Sequence, residues 1–207
     1  MNTKKSIIIA VTAYMLLLAV SFMLSIVAGL GEAESRHDPS SVLLYVRRGL
    51  LVLLALLLPV LSGQRGPLTT SGWKVSPAWY GVAVALGFLI GYGNRGGFNP
   101  LHASALILAC FHAFAAELFF RAYLIQTFSR HMKGFWLPVI IPAVFYGVYY
   151  LSVWTLWQQP GAGKLVFVGL FTGLGIVFGF CYKKSGGFPI PWLMHFLGVL
   201  QYSVFFN

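Results

Sequence analysis

The chain has 207 residues, of which 58% are apolar and 9% are charged, and its mean hydropathy is +0.81. Soluble domains contain about 25% charged residues, and disordered chains lack aromatic residues, which make up 16% of this one, so both classes are excluded. The net charge of +10 comes from basic residues near the ends of apolar runs. This placement favours contact with anionic membrane lipids and argues against nucleic acid as a partner.

The apolar runs predict an all-α polytopic membrane protein, a bundle of about seven transmembrane helices at roughly 20 residues per span. In chain order we predict spans at 6–30, 49–62, 77–92, 101–128, 135–157, 165–182 and 190–206. The first run is longer than the apolar core of a signal peptide, which has about 7–15 residues. It is therefore interpreted as a retained span. If the short second span begins near Val42, Arg47 and Arg48 are expected to snorkel toward the headgroups.

Two glycine patterns lie in the sixth run, one from Gly169 to Gly173 and one from Gly175 to Gly179. Glycines spaced by four residues let the backbones of membrane helices approach each other closely. We therefore expect tight packing of this helix at the centre of the bundle, with a substrate-facing groove as the alternative.

Basic residues are distributed unevenly between the two sides of the predicted bundle. The amino-terminal side collects Lys4, Lys5, Arg65, Lys74, Arg130, Lys133, Lys183 and Lys184, and the opposite side collects Arg36, Arg47, Arg48, Arg95 and Lys164 together with the acidic residues Glu32, Glu34 and Asp38. Because cytoplasmic loops carry an excess of lysine and arginine, this asymmetry predicts a cytoplasmic amino terminus.

Glu117 is the only acidic residue after Asp38, and it lies in the middle of the fourth predicted span. A charge at bilayer depth costs at least ~2.5 kcal/mol, which makes an intramembrane ionisable residue a candidate for function. Arg121 lies one helical turn further on and can pair with Glu117, so a purely structural ion pair is equally compatible with the spacing. His195 and His112 are the other intramembrane candidates, although a lone histidine in an apolar helix is often a packed residue.

Several chemistries of membrane proteases are excluded by inspection. The sequence has no His-Glu-x-x-His motif, which a zincin metal site requires, and Asp38 is its single aspartate, so an intramembrane aspartyl pair is impossible. One carboxylate and two intramembrane histidines fall short of a convincing zinc site. The sequence therefore indicates no metal and no cofactor.

Two segments carry a resemblance to a known family. Residues 117–124 read Glu-Leu-Phe-Phe-Arg-Ala-Tyr-Leu, and residues 169–198 contain Gly-x-x-x-Gly, a basic turn and then Pro-Trp-Leu-Met-His-Phe-Leu. This order resembles the CAAX-protease and bacteriocin-processing (CPBP, or Abi) family of intramembrane endopeptidases. The resemblance implies a single transmembrane domain over residues 1–207, with variable amino-terminal spans at 1–100 and a CAAX-protease-like core at 101–207.

Four residues match the family's signatures. The first signature reads Glu-Glu-x-x-x-Arg, so Glu117 and Arg121 match its second Glu and its Arg. The second signature reads Phe-x-x-x-His, and Phe145 matches its Phe. The third signature contains a His followed four residues later by Asn, and His195 matches that His.

Three groups that the family would supply are replaced in this sequence. Ala116 stands where the first Glu is expected, Tyr149 stands for the second-signature His, and Val199 stands for the Asn. In the family the first Glu and the second-signature His are thought to activate water, while the third-signature His and the Asn hold the developing oxyanion. Ala116 cannot take a proton, Tyr149 is a poor general base at neutral pH, and Val199 cannot donate a hydrogen bond.

One compensation is available within the sequence. His112 lies one turn before Ala116 and on the same helical face. We hypothesise that His112 or Glu117 replaces the missing base, with Tyr149 and His195 acting as hydrogen-bond donors. The candidate catalytic residues are therefore Glu117, His195, Arg121, Tyr149 and His112.

The resemblance implies an intramembrane endopeptidase that processes a membrane-associated or C-terminally tagged peptide by an altered site, in a bacterial or archaeal cell membrane. The alternative is a catalytically inactive family member that serves as a membrane binding, immunity or scaffold protein for a peptide or transmembrane segment. A small transporter is a third reading. Transporters tend to show interrupted spans in matching halves, whereas this chain has its intramembrane candidates in one half only.

Overall fold

The computed structural model describes residues 3–29, 42–63, 66–67, 72–93, 97–152 and 161–202. These residues form seven helices and no strand, and the predicted all-α membrane class is confirmed. The helices are α1 (Thr3–Gly29), α2 (Val42–Leu61), α3 (Pro77–Tyr92), α4 (Ala103–His131), α5 (Leu137–Tyr149, with a 3₁₀ turn at Tyr150–Ser152), α6 (Gly161–Ser185) and α7 (Pro189–Gly198). The predicted acidic loop with Glu32, Glu34 and Asp38 lies outside the described residues.

Among the described residues, three helices are long and apolar enough to cross a membrane: α4, α6 and the Lys5–Ile26 part of α1. Their most apolar windows differ in burial, since 61% of the window in α4 is buried within the protein against 28% in α1 and in α6. Helix α4 is therefore the centre of the bundle. The outer helices expose large apolar side chains, such as Leu165 of α6 and Leu89 of α3, as lipid-facing surfaces do.

Helix α7 is shorter than the sequence predicts. It ends at Gly198, whereas the seventh predicted span continues to residue 206. The chain turns at this point because the backbone N–H of Phe98 donates to the Val199 carbonyl at 2.8 Å, and the N–H of Gln201 donates to the Phe98 carbonyl at 2.9 Å. These bonds tie the end of α7 to the segment before α4, and the prediction of a full-length seventh span is wrong in this respect.

One of the two glycine patterns in α6 packs as expected. A Cβ atom at Gly175 would come 3.0 Å from the Cα of Ala143 on α5, and one at Gly179 would come 2.9 Å from the Val139 side chain. A Cβ at Gly169 or Gly173 would meet no described atom within 4 Å. Close packing is thus confirmed for the second pattern and wrong for the first.

The arginine pair of α2 points into the protein and does not snorkel. Arg47 and Arg48 are only 9% and 4% exposed, and Arg47 Nη2 donates to Ser25 Oγ of α1 at 2.6 Å. The expectation of snorkelling fails because neighbouring helices offer hydrogen-bond acceptors to both side chains. In the same cluster, Ser25 Oγ also donates to the Ser152 carbonyl, which joins α1 and α2 to the end of α5.

Candidate active site

Two charged residues lie at the centre of α4. Glu117 ends its first α-helical part, and Arg121 belongs to a π-helical stretch, Leu118–Ile125, whose eight residues are all buried. π-Helical turns occur frequently at functional sites. Arg121 Nη1 lies 3.1 Å from Glu117 Oε1, and both side chains are at most 1% exposed. The pairing predicted from their spacing is confirmed.

Aromatic rings hold the Arg121 guanidinium on its other sides. Its Cζ atom lies 4.3 Å from the ring centroid of Tyr146 on α5, and 5.2 Å from that of Phe178 on α6. A desolvated cation over an aromatic face is stabilised by ~2 kcal/mol or more. Arg121 is therefore anchored by three helices, and it fixes Glu117 in turn.

Helix α7 places His195 against the carboxylate of Glu117. His195 Nδ1 lies 2.7 Å from Glu117 Oε1, and the imidazole is 3% exposed. An ionised carboxylate only accepts hydrogen bonds, so Nδ1 bears a hydrogen and donates it. In the neutral ring this leaves Nε2 as the acceptor, and Nε2 lies 3.5 Å from the Tyr146 hydroxyl.

A cavity of about 460 Å³ adjoins this pair. Helices α3, α5, α6 and α7 contribute most of its lining, and His112 of α4 completes it. The lining is mainly apolar, and its polar side chains are His112, Tyr146, Tyr150 and His195. A few polar groups in an apolar recess are typical of sites that bind and orient a ligand.

His112 has a different hydrogen-bond partner from His195. The two ring centroids are 5.5 Å apart, and Arg48 Nη2 of α2 lies 3.3 Å from His112 Nε2. Because a guanidinium only donates, His112 Nε2 accepts, and its ring hydrogen lies on Nδ1. Both histidines that line the cavity therefore carry their ring hydrogen on Nδ1.

The structure brings four of the five predicted site residues together and separates the fifth. Glu117, Arg121, His195 and His112 form one contact cluster through the distances given above. Tyr149 is 2% exposed but does not line the cavity, because its ring faces Arg48, whose Cζ lies 5.9 Å from the ring centroid.

The other two replaced positions differ in their access to the cavity. Val199 lines it. Ala116 is 1% exposed and belongs to the hydrophobic core around α4.

Sequence reasoning missed two residues of this cluster. Tyr146 lies three residues before Tyr149 on a helix rich in aromatic residues, and nothing in the sequence distinguishes its orientation. Arg48 carried a usable signal, since a charge inside an apolar run is a candidate for function. Its interpretation as a snorkelling residue removed it from consideration.

Within the described part of the chain, His, Cys, Asp and Glu side chains form no group of three that could hold a metal ion. The carboxylate–histidine pair of Glu117 and His195 is held by its neighbours in the protein, as the bonds above show.

The fold and the site define an α-helical membrane protein with a buried carboxylate–histidine pair beside an apolar cavity. A family model described as type II CAAX prenyl endopeptidase Rce1-like matches residues 98–200, which include α4 to α7 and about half of the chain. The protein therefore belongs to the CPBP family of intramembrane endopeptidases. Comparisons with curated proteins and with solved structures gave no match.

Proposed function

We propose that this protein is an active intramembrane endopeptidase that uses an altered site. The observation that carries the proposal is the 2.7 Å hydrogen bond from His195 Nδ1 to Glu117, which orients His195 Nε2 as an acceptor at the cavity. An imidazole that a carboxylate orients in this way is the arrangement of a general base. It replaces the carboxylate and histidine that Ala116 and Tyr149 no longer supply.

In the proposed reaction His195 Nε2 takes a proton from water while the water oxygen bonds to the carbonyl carbon of the scissile peptide. The carbonyl electron pair moves to oxygen, and the oxyanion accepts a hydrogen bond from the Tyr146 hydroxyl. When the C–N bond breaks, the proton held by His195 passes to the leaving amine. This division of roles differs from the one favoured by spacing, because Tyr149 faces Arg48 and His195 faces Tyr146.

The substrate we propose is a membrane-associated or C-terminally tagged peptide. The apolar lining of the cavity from α3 and α6 favours an apolar segment or side chain near the scissile bond. Anionic membrane lipids are the other proposed partners, and the uneven distribution of basic residues supports a cytoplasmic amino terminus. A bacterial or archaeal cell membrane is the location that the family resemblance suggests.

A second function is favoured by the three replaced residues. With Ala116, Tyr149 and Val199 in place, the usual water-activating and oxyanion-holding groups are missing. Loss of a positioned base typically lowers a rate by ~10²–10⁴, and loss of one oxyanion donor lowers it by ~10²–10³. The protein would then bind a peptide or transmembrane segment without cutting it, as a membrane binding, immunity or scaffold protein.

The test compares peptide termini in the membrane and secreted fractions of cells that carry the wild-type protein or His195→Ala at matched abundance. His131→Ala is the matched control, because His131 lies at the end of α4 and does not line the cavity. We expect cleaved termini in the wild type and in His131→Ala, and at least a ~10²-fold loss in His195→Ala. The sequences at these termini would also identify the substrate.

If all three proteins are stably inserted and give identical termini, the endopeptidase proposal fails. The non-catalytic function would then be the conclusion, and its partner would be sought by co-purification.

A further inference from the structure

A group of aromatic and basic residues lies where two of the long apolar helices end. This lysine–aromatic cluster consists of Phe135 and Trp136 in the turn between α4 and α5, with Phe180, Lys183 and Lys184 in the last turns of α6. Helix α4 ends at His131 and α6 ends at Ser185, and both are long and apolar enough to cross a bilayer. Aromatic and basic residues at such ends are typical of the membrane–water interface, so we expect the cluster at the level of the lipid headgroups.

The three rings of the lysine–aromatic cluster pack against one another. The ring centroid of Phe135 lies 5.1 Å from that of Trp136 and 5.8 Å from that of Phe180. The centroids of Trp136 and Phe180 are 6.1 Å apart. Trp136 is nevertheless 53% exposed, so the rings form a packed platform whose indole remains open to the surroundings of the protein.

The two lysines are held against this platform. Lys183 Nζ lies 4.9 Å and Lys184 Nζ lies 5.4 Å from the ring centroid of Phe135, and Lys184 Nζ also lies 5.9 Å from that of Phe180. Lys183 Nζ donates a hydrogen bond to the Phe135 carbonyl at 3.4 Å. Because an ammonium group can donate three hydrogen bonds, both lysines keep donors for a further partner.

The positive charge of the cluster is not balanced by an acidic side chain in the described part of the chain. Glu117 is the one acidic residue there, and its carboxylate is engaged by Arg121 and His195 in the buried site. Helix α5 adds to the imbalance, since it begins beside Trp136 without a side-chain cap and a helix N-terminus attracts anions. The cluster therefore favours an anionic ligand.

We propose that the lysine–aromatic cluster binds the headgroup phosphate of an anionic phospholipid, with Lys183 and Lys184 donating to the phosphate oxygens and the Trp136 indole packing beside the headgroup. A lipid fits better than a free anion, because the cations stand on apolar rings at the ends of membrane-crossing helices. The inference rests on the proposal above that anionic lipids are partners of this protein, and it gives that partnership a site.

The helix dipole offers a second explanation for the two lysines. Cations in the last turn of a helix are stabilised by the negative end of its macrodipole, and α6 carries both lysines in its last turn. That stabilisation is the same in every lipid. A preference for one headgroup over another therefore separates a lipid site from an effect of the dipole.

The experiment measures binding of phosphatidylglycerol to the purified full-length protein in detergent, by native mass spectrometry across a lipid titration. Phosphatidylcholine with the same acyl chains is the neutral comparison. We expect the wild type to prefer phosphatidylglycerol, and Lys183→Gln/Lys184→Gln to lower the affinity for it by about 10- to 30-fold, since each basic residue near an anionic lipid surface contributes roughly fivefold. Binding of phosphatidylcholine should stay unchanged.

Two exposed lysines outside the cluster provide the matched control. Lys5 of α1 and Lys74, which precedes α3, are exposed and belong to the same predicted side of the membrane, so Lys5→Gln/Lys74→Gln removes the same total charge. We expect this variant to keep most of the affinity, because surface charges act over only about 8 Å at physiological salt. Phe135→Leu keeps both lysines without the ring that holds them, and it should bind about fivefold more weakly.

Three results would overturn the inference. The first is a wild-type protein with no preference for phosphatidylglycerol. The second is an equal loss in the two double variants, which would indicate diffuse surface charge. The third is displacement of the lipid by inorganic phosphate at millimolar concentration, which would indicate a site for a free anion.

Two checks keep these outcomes unambiguous. The unfolding midpoint in detergent without lipid shows whether Lys183→Gln/Lys184→Gln is folded, and Lys184→Gln alone, at an exposed position, takes its place if it is not. Lipid binding is measured without a peptide substrate. Absence of cleaved termini therefore contradicts the endopeptidase alone, and absence of a headgroup preference contradicts the lipid site alone.

Discussion

At the scale of single residues, the site depends on one carboxylate oxygen that serves two partners. Glu117 Oε1 lies 3.1 Å from Arg121 Nη1 and 2.7 Å from His195 Nδ1, while Oε2 has no hydrogen-bond partner among the described residues. Glu117 therefore has a structural role toward Arg121 and a chemical role toward His195. The two roles are separable, because replacing both members of a buried pair costs less than removing one.

We expect Glu117→Gln to lower the free energy of unfolding by ~3–5 kcal/mol, since it leaves Arg121 as an uncompensated buried cation. The double variant Glu117→Gln/Arg121→Met removes that cation and should recover most of this loss while the cleaved termini stay absent. Thermal unfolding in detergent checks the first expectation, and the termini check the second. A double variant as unstable as Glu117→Gln would show that the ion pair is not the source of the loss.

At the scale of helices, α6 contains glycines that pack closely against neighbouring helices and glycines that do not. Gly175 is buried against the backbone of Ala143 on α5, whereas Gly169 lies on the same helix with open space around the position of a Cβ. The two residues share their helix and their lack of a side chain. They differ in burial and in what a methyl group would meet.

Gly175→Ala is expected to destabilise the protein by ~1–3 kcal/mol, because a Cβ 3.0 Å from the Cα of Ala143 forces α5 and α6 apart. Gly169→Ala should instead be neutral or stabilising by up to ~1 kcal/mol, since alanine is the better helix former. Unfolding midpoints of the two purified variants measure the difference. Equal midpoints would mean that α5 and α6 do not approach as closely as the structure shows.

The sequence predicted contacts between residues of one helix. It did not predict contacts between two helices, because those depend on how each helix is rotated about its own axis. The pairing of Glu117 with Arg121 follows from a separation of four residues, and the helical class follows from hydropathy alone. The contact between Arg48 and His112 joins α2 to α4, so it depends on the direction in which α2 turns its arginines. The choice between Tyr146 and Tyr149 is likewise a matter of helix rotation, because residues three apart differ in direction by roughly 60°.

At the scale of the whole molecule, the site combines the family-like half of the chain with the helices that precede it. Helix α2 supplies Arg48, and α3 lines the cavity through Ile90. A second apolar recess of about 470 Å³ lies on another face, between α4 and Trp192 of α7. Only the first recess is lined by the two histidines, so it is the one expected to receive a substrate.

Two exposed aliphatic residues test this assignment, because each lines one recess. Leu170 of α6 is 54% exposed and lines the cavity, and Ile107 of α4 is 72% exposed and lines the second recess. Since both side chains have room to grow, Leu170→Trp and Ile107→Trp should insert and fold alike. Leu170→Trp is expected to lower the yield of cleaved termini by about tenfold, as a crowded binding pocket costs ~1–3 kcal/mol, while Ile107→Trp leaves the yield unchanged. The opposite result would assign the substrate to the second recess. The scissile bond would then lie away from His195, which does not line that recess.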